Sequence, residues 1–105
     1  MPTTVINVHS LPLTPSGRLV IPADFVYVGR RSRIVSSHGS KFANPFRMSR
    51  PADRQQVIGK YTEWLLQNPE LIMAARIELS GKVLGCWCKP LSCHADILAR
   101  IADGE

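Results

Sequence analysis

The sequence predicts a compact α/β fold, in which a small mixed or parallel sheet of at least three strands packs with three helices. Three observations lead to this prediction. Two short runs rich in β-branched or aromatic residues precede residue 30, two helical patterns fill the middle of the chain, and a third apolar run leads into a last helical pattern. Because helices separate the second and third runs, those two strands are expected to pair in parallel.

Length and composition indicate one domain covering residues 1–105, with 45% hydrophobic and 20% charged residues. No apolar run is long enough to span a bilayer, and the first ten residues do not form a signal peptide. We therefore expect a cytoplasmic protein with no membrane partner. In a reducing compartment, its three cysteines are expected to be thiols or metal ligands rather than disulfides.

The first strands are predicted at Thr4–Val8 and Phe25–Val28, which are rich in β-branched or aromatic residues. The proline-rich segment 11–22 between them is predicted to be a loop. Gly29 follows the second strand and is expected to permit a strained turn. Ile34–Val35 could begin a hairpin, although that run is short.

Two helices are predicted in the middle of the chain. The first spans about Pro51 to Gln67, since proline is favoured in a first turn and apolar residues recur at helical spacing after it. The second spans Glu70–Leu79 and is expected to be anchored in the core by Leu71, Ile72, Ala75 and Ile77.

A strand-to-helix junction near the C-terminus holds all three cysteines. Val83–Cys88 is predicted to be an interior strand, followed by a helix over Ser92–Ile101 with Ser92 as its N-cap. Side chains alternate along a strand, so Cys86 and Cys88 should share one face while Trp87 points the other way, into a core. Two thiols at a strand end would therefore meet Cys93 and His94 at a helix start.

A basic block precedes the first long helix. It contains no Asp or Glu, and its cations are Arg30, Arg31, Arg33, Lys41, Arg47 and Arg50. Guanidinium groups beside glycine and serine residues suit phosphate or a polyanion. The alternative is a solvated loop that only keeps the domain soluble.

Four blocks of sequence resemble domain-of-unknown-function family 4326. They are Val26–Arg30, Gly39–Phe46, Lys60–Tyr61 with Trp64–Leu65, and Gly81–Pro90 followed by Cys93, His94 and Asp96. The similar region covers roughly residues 25–101, leaving 1–24 as a strand plus a proline-rich loop. The family is common in phages and bacteria, which implies a host cytoplasm if the chain is phage-encoded. No activity is established for this family, so the resemblance does not imply one. Ala95 stands where the family usually has glycine, which would tighten a pocket that needs close backbone approach.

The first interpretation of the junction is a zinc site, because Cys86, Cys88, Cys93 and His94 form a complete ligand set by type. Its geometry is unfavourable. Sulfur atoms on one zinc lie about 3.8 Å apart, whereas same-face residues two apart on a strand have Cα atoms separated by about 6.6 Å. Adjacent residues such as Cys93 and His94 also diverge around a helical turn.

The second interpretation, which we favour, is a crevice that binds a nucleotide or another phosphate-bearing ligand. Cys93 would be a thiolate or an anion contact at a helix N-terminus, with His94 as acid or base. Asp96 would either orient the histidine or cap nearby N–H groups. The cations Arg30, Arg31, Lys41 and Lys89 would contact the anion, and Asn44, Cys86 and Cys88 would complete the site. Such a crevice could belong to an enzyme acting on nucleotides or modified bases.

Two further alternatives remain at this stage. One is a non-catalytic module that binds nucleic acid or a host protein, with or without a stabilising zinc ion. The basic block and the small size of the chain favour this alternative. The other is a purely structural role, in which the three thiols are small buried hydrophobic groups.

Overall fold

A computed structural model of the protein describes residues 2–32, 39–88 and 91–104. Within these residues the strands are β1 (Thr4–Asn7), β2 (Phe25–Tyr27) and β3 (Val83–Cys86). The helices are α1 (Arg54–Leu66), α2 (Pro69–Glu78) and α3 (His94–Ala102). Short 3-10 turns at Val8–Ser10 and Pro51–Asp53 follow β1 and precede α1. The predicted α/β class is confirmed, whereas the hairpin proposed at Ile34–Val35 lies outside the described residues.

The sheet has the strand order β1-β3-β2, and β3 pairs in parallel with both neighbours. The register places Leu84 beside Val5 on one side and beside Val26 on the other. β3 is therefore the interior strand that the sequence predicts, and the sheet is parallel rather than mixed. The carboxyl ends of the described strands consequently meet at one edge. His94, the first residue of α3, contacts Val28 at this edge.

The helices form a layer against this sheet, with α3 contacting β1, β3 and α2, and with α1 contacting α2 and α3. Fully buried side chains between the layers include Tyr61, Leu65, Leu79, Leu84 and Leu98. Burying such side chains supplies most of the free energy that favours folding, at roughly 1.5–3 kcal/mol each. The core therefore fixes where α3 begins relative to the strand ends.

Ile77 is not a core anchor, contrary to the prediction, because its side chain is 75% exposed. Ala75 is fully buried, and Leu71, one turn earlier, packs against the core. A helix turns by about 100° per residue, so Ile77 lies on the far side of α2 from Ala75. The helical pattern locates the helix correctly but includes one residue from its outer face.

Glycine is required at two positions where an aromatic ring crosses the backbone. A methyl group on Gly85, in the middle of β3, would collide with the ring of Phe25. One on Gly29 would lie 2.5 Å from Oη of Tyr27. Gly29 does not adopt a positive φ, so the strained turn expected there is wrong. The close approach of the Tyr27 ring explains instead why glycine occupies this position.

The proline-rich segment contains one isolated antiparallel bridge, between Leu13 and Leu19. Leu13, Val20 and Ile21 leave much of their side-chain surface exposed. In the part of the chain that the structure describes, no helix combines the length and apolar character needed to cross a membrane.

Candidate functional site

A cavity of about 490 Å³ opens at the carboxyl edge of the sheet. The ends of β2 and β3, the starts of α1 and α3, and the loop around residues 44–48 all contribute to its lining. Ligands commonly bind at this edge of parallel α/β sheets, because strand ends and helix starts leave a crevice there. The location agrees with the crevice predicted from the sequence.

All four side chains of the predicted cysteine and histidine cluster line this cavity: Cys86, Cys88, Cys93 and His94. The three cysteines are free thiols. Cys86 and Cys93 are 1% and 3% exposed, so little of either thiol reaches solvent, while Cys88 is half-buried. Their roles in binding or catalysis stay predictions.

Cys93, and not Ser92, is the N-cap of α3. Its backbone is extended, with φ −146° and ψ 156°, and its N–H donates to a carboxylate oxygen of Asp96 at 3.0 Å. This pair forms a capping box, in which the cap residue and the residue three positions later satisfy each other's backbone groups. Ser92 cannot form one, since Ala95 lies three positions after it. The Cys-x-x-Asp spacing is the sequence signal for this cap.

His94 is buried with both ring nitrogens engaged. Nε2 lies 2.8 Å from the carbonyl oxygen of Val28, and Nδ1 lies 3.4 Å from Sγ of Cys93. A carbonyl oxygen can only accept, so Nε2 must carry the proton that it shares with Val28. In a neutral ring Nδ1 is then the acceptor. Burial lowers the pKa of His94, which keeps the ring neutral.

The proximity of Cys93 and His94 differs from the prediction that adjacent residues diverge. That prediction placed both residues inside the helix. Cys93 instead has the extended backbone of an N-cap, while His94 is the first residue of α3. The change of backbone conformation between them turns the two side chains toward each other.

The surroundings of Cys93 favour a thiol over the thiolate that the sequence predicts. A hydrogen bond with Cys86, followed by burial, raises the pKa of the Cys93 thiol. A hydrogen bond from the backbone N–H of Ala95 lowers the pKa of the same thiol, but by less. A helix dipole contributes only about 0.3–1 kcal/mol, which is too little to offset the burial of a charge.

The side chains present do not fit a zinc ion. Among the described residues, no group of three or more His, Cys, Asp or Glu side chains is placed to hold a metal. All four residues of the predicted zinc set belong to the described part of the chain. Both nitrogens of His94 already have protein partners, and metal binding would require one of those contacts to break.

Four arginines line the cavity: Arg30, Arg31, Arg47 and Arg54. No Asp or Glu occurs among the described residues of its lining. Arg30 donates to the carbonyl oxygens of Asn44 and Phe46, at 3.0 and 2.8 Å. Those contacts fix the loop 44–46 beside the cavity, and Arg30 has no carboxylate partner among the described residues.

Some predicted ligand contacts lie elsewhere. Lys41 forms an ion pair of 2.6 Å with Glu78 and does not line the cavity. Asp96 is occupied in the capping box and is also absent from the lining. Asn44 does line the cavity, while its Oδ1 accepts from the N–H of Phe46 at 2.8 Å and so shapes the loop. Lys89 is outside the described residues.

Trp87 lines the cavity instead of entering a core. Its Nε1 donates to Oη of Tyr27 at 2.7 Å, and that hydroxyl donates to the carbonyl oxygen of Arg30 at 2.5 Å. The ring of His9 lies 4.6 Å from that of Trp87. Trp87 therefore joins the ends of β2 and β3 at the cavity. The strand predicted over Val83–Cys88 ends at Cys86, so strand alternation does not fix where the Trp87 side chain points.

Fold and site together define a small parallel α/β domain with an arginine-lined cavity and a Cys–His pair at the carboxyl edge of its sheet. The chain belongs to the family described as domain of unknown function, DUF4326, whose profile matches residues 14–104. This match includes part of the proline-rich segment, so the family region starts earlier than the predicted residue 25. No curated protein and no solved structure matches the chain.

Proposed function

We propose that this protein binds a phosphate-bearing ligand of nucleotide size in the cavity at the carboxyl edge of its sheet. The observation that carries the proposal is the convergence of Arg30, Arg31, Arg47 and Arg54 on a cavity whose described lining has no carboxylate. Arginine presents several donors in a fixed plane and binds phosphate oxygens in pairs.

Two of these arginines are available to a ligand. Arg31 and Arg47 are exposed, and neither forms an ion pair with any described residue. Arg30 and Arg54 are each held by hydrogen bonds to backbone carbonyls, so their guanidinium groups are already positioned. Two cations held by hydrogen bonds and two exposed cations suit a phosphate that enters from solvent and is then held in one place.

The rest of the lining suits an aromatic ring. Trp87, Tyr27 and Phe46 contribute aromatic surface to the same cavity, and Val57 and Ile58 of α1 contribute aliphatic surface. Ligand cavities of about 300–1,000 Å³ accommodate small organic molecules, and the value of about 490 Å³ falls in this range. A nucleotide combines a phosphate with a flat ring, and we take it as the ligand class.

Nucleic acid is the second candidate. Arg47 at the cavity and Arg50 beyond it are both exposed on the segment that leads into α1. Arg50, however, pairs with Asp53 at 3.3 Å, which reduces the positive charge next to the cavity. A single nucleotide therefore agrees better with the arrangement of charges.

Calorimetric titration with the common nucleoside 5′-monophosphates and with the matching nucleosides tests the proposal. We expect a monophosphate to bind and its nucleoside to bind at least about tenfold more weakly, because a charge-assisted hydrogen bond contributes about 1.5–3 kcal/mol. The double variant Arg31→Gln, Arg47→Gln should lose that difference. Arg18→Gln removes an exposed arginine outside the cavity and should bind like the parent.

Equal affinity for nucleotide and nucleoside would contradict the proposal. Binding of single-stranded oligonucleotides but of no mononucleotide, with an affinity that falls steeply with salt, would instead establish the second candidate.

A further inference from the structure

We propose that Cys93 is a nucleophile and that His94 is the general base that accepts its proton. This inference rests on the proposed function for its ligand class, a phosphate-bearing compound with an electrophilic carbon. An activated nucleophile is recognised by a base within hydrogen-bond reach and by a third group that orients the base. The described residues supply three parts of such a site: the contact between nucleophile and base, the fixed position of the base, and access to a ligand.

The first part is the contact between the two side chains. Sγ of Cys93 lies 3.4 Å from Nδ1 of His94, within reach of a sulfur hydrogen bond. The protonation state of the ring follows from the other side, where Nε2 must donate to the carbonyl oxygen of Val28 at 2.8 Å. Nδ1 consequently has a lone pair directed at the thiol, and the thiol can donate its hydrogen to Nδ1 in place of its bond with Cys86.

The second part is the fixed position of His94. Its ring makes an edge contact with the ring of Tyr61, at 5.0 Å between centroids, and the side chain is 9% exposed. The Tyr61 hydroxyl is itself anchored on the carbonyl oxygen of Phe42 at 2.6 Å. Val28 is a positioning residue, since its carbonyl holds the ring and would stabilise the imidazolium once a proton arrives at Nδ1.

The third part is access to a ligand. Cys93 and His94 both line the cavity into which Arg31, Arg47 and Arg54 project. A ligand whose phosphate contacts the arginines would lie in the same cavity as the Cys93 thiol. Because Cys93 is held as a thiol, it depends on a base, as a serine hydroxyl does, and would show little reactivity without His94.

The step balances without a co-reactant. Sγ forms a bond to the electrophilic carbon, the bond from that carbon to its leaving group breaks, and the leaving group departs with the electron pair. The thiol proton moves to Nδ1 of His94, while the proton on Nε2 stays shared with Val28.

Bromoacetol phosphate and uncharged bromoacetone are matched probes for this step, with bromide as the leaving group of both. We expect Cys93 to be alkylated at least about tenfold faster than Cys86, although both thiols are almost fully buried. Peptide mass spectrometry assigns the modified residue, and a Cys88→Ser background removes the half-exposed thiol. His94→Gln should lower the rate at Cys93 at least about tenfold, with circular dichroism confirming that the variant folds.

The two probes separate this inference from the proposed function. Faster reaction of the phosphate probe than of bromoacetone, lost in the Arg31→Gln, Arg47→Gln variant, supports both. Equal rates for both probes at a fast-reacting Cys93 support the nucleophile and contradict the anion-binding cavity. Equal reactivity of Cys86 and Cys93 in the parent protein, with nucleotide binding intact, overturns the nucleophile and leaves the proposed function standing. The comparison within the parent decides the matter even if His94→Gln does not fold.

Discussion

The guanidinium of Arg54, in the first turn of α1, donates a hydrogen bond of 3.0 Å to the carbonyl oxygen of Ser92, 38 residues later in the chain. This contact joins the start of α1 to the start of α3 across the cavity that both helices line. It places a cation at the cavity without a carboxylate partner among the described residues.

Replacing Arg54 with Gln is expected to weaken nucleotide binding about tenfold, because one charge-assisted contact is lost. The free energy of unfolding should fall by only about 0.5–1.5 kcal/mol, for the hydrogen bond to Ser92. Titration calorimetry and urea unfolding measure the two effects. Lys60→Gln, which removes an exposed cation from the same helix, is the matched control. Equal loss of affinity in both variants would show that only net charge matters.

Replacing Asp96 with Ala is expected to lower the free energy of unfolding by about 1 kcal/mol, the usual contribution of a helix cap. The reason is the lost bond to the Cys93 N–H. Ligand affinity should be nearly unchanged, because Asp96 does not line the cavity. Chemical unfolding and calorimetry test this pair of outcomes. A variant with full stability and no binding would instead support the site role predicted from the sequence.

The pKa of His94 is lowered by burial, so protonating this histidine should destabilise the fold. The unfolded chain takes up the proton near its ordinary pKa of about 6.5, whereas the folded protein does so only at lower pH. Stability is therefore complete above that value and falls as the pH drops below it. Besides burial, the Val28 carbonyl and the charges of Arg30 and Asp96 influence this pKa, and the titratable side chains in contact with the ring are Tyr61 and Cys93.

Urea unfolding of the parent and of His94→Gln between pH 7.5 and pH 5 measures this dependence. The parent should lose stability on acidification, and the variant should lose less. His9→Gln, which changes an exposed histidine, should retain the parental behaviour. If His94→Gln lost as much stability as the parent on acidification, the pH dependence would belong to other groups.

Metal chelators are expected to leave the melting temperature unchanged. The described side chains do not form a metal site, and a structural zinc would add its binding free energy to folding. Thermal melting with and without a strong chelator, combined with elemental analysis of the purified protein, tests the expectation. One zinc per chain together with a lower melting temperature in chelator would contradict it.

Replacing each of two glycines with alanine should change the free energy of unfolding in opposite directions. Gly85→Ala is expected to cost about 1–3 kcal/mol, because the new methyl group meets the Phe25 ring on β2. Gly59→Ala should stabilise the protein by about 0.5–1 kcal/mol, since Gly59 lies within α1 and its added methyl group would be in open space. Urea unfolding compares the two. Phe25→Leu should restore part of the loss in Gly85→Ala, and a harmless Gly85→Ala would disprove the packing argument.

The sequence by itself determined the order and class of the elements, because periodicity and turn chemistry are local properties of the chain. It also placed Cys86, Cys88, Cys93 and His94 near one another, since a strand end and the following helix start are covalently close. Arg30 and Arg31 follow the end of β2, so their position at the same sheet edge was likewise predictable once the strands were taken as parallel.

Only the tertiary structure decided which distant side chains complete the cavity. Arg54 enters it because α1 packs beside α3, and Lys41 is excluded because Glu78 of α2 lies within 2.6 Å of it. The contact of His94 with Val28 spans 66 residues. These partners meet because burying the apolar faces of the helices against the sheet fixes their relative positions, and no local pattern in the chain contains that information.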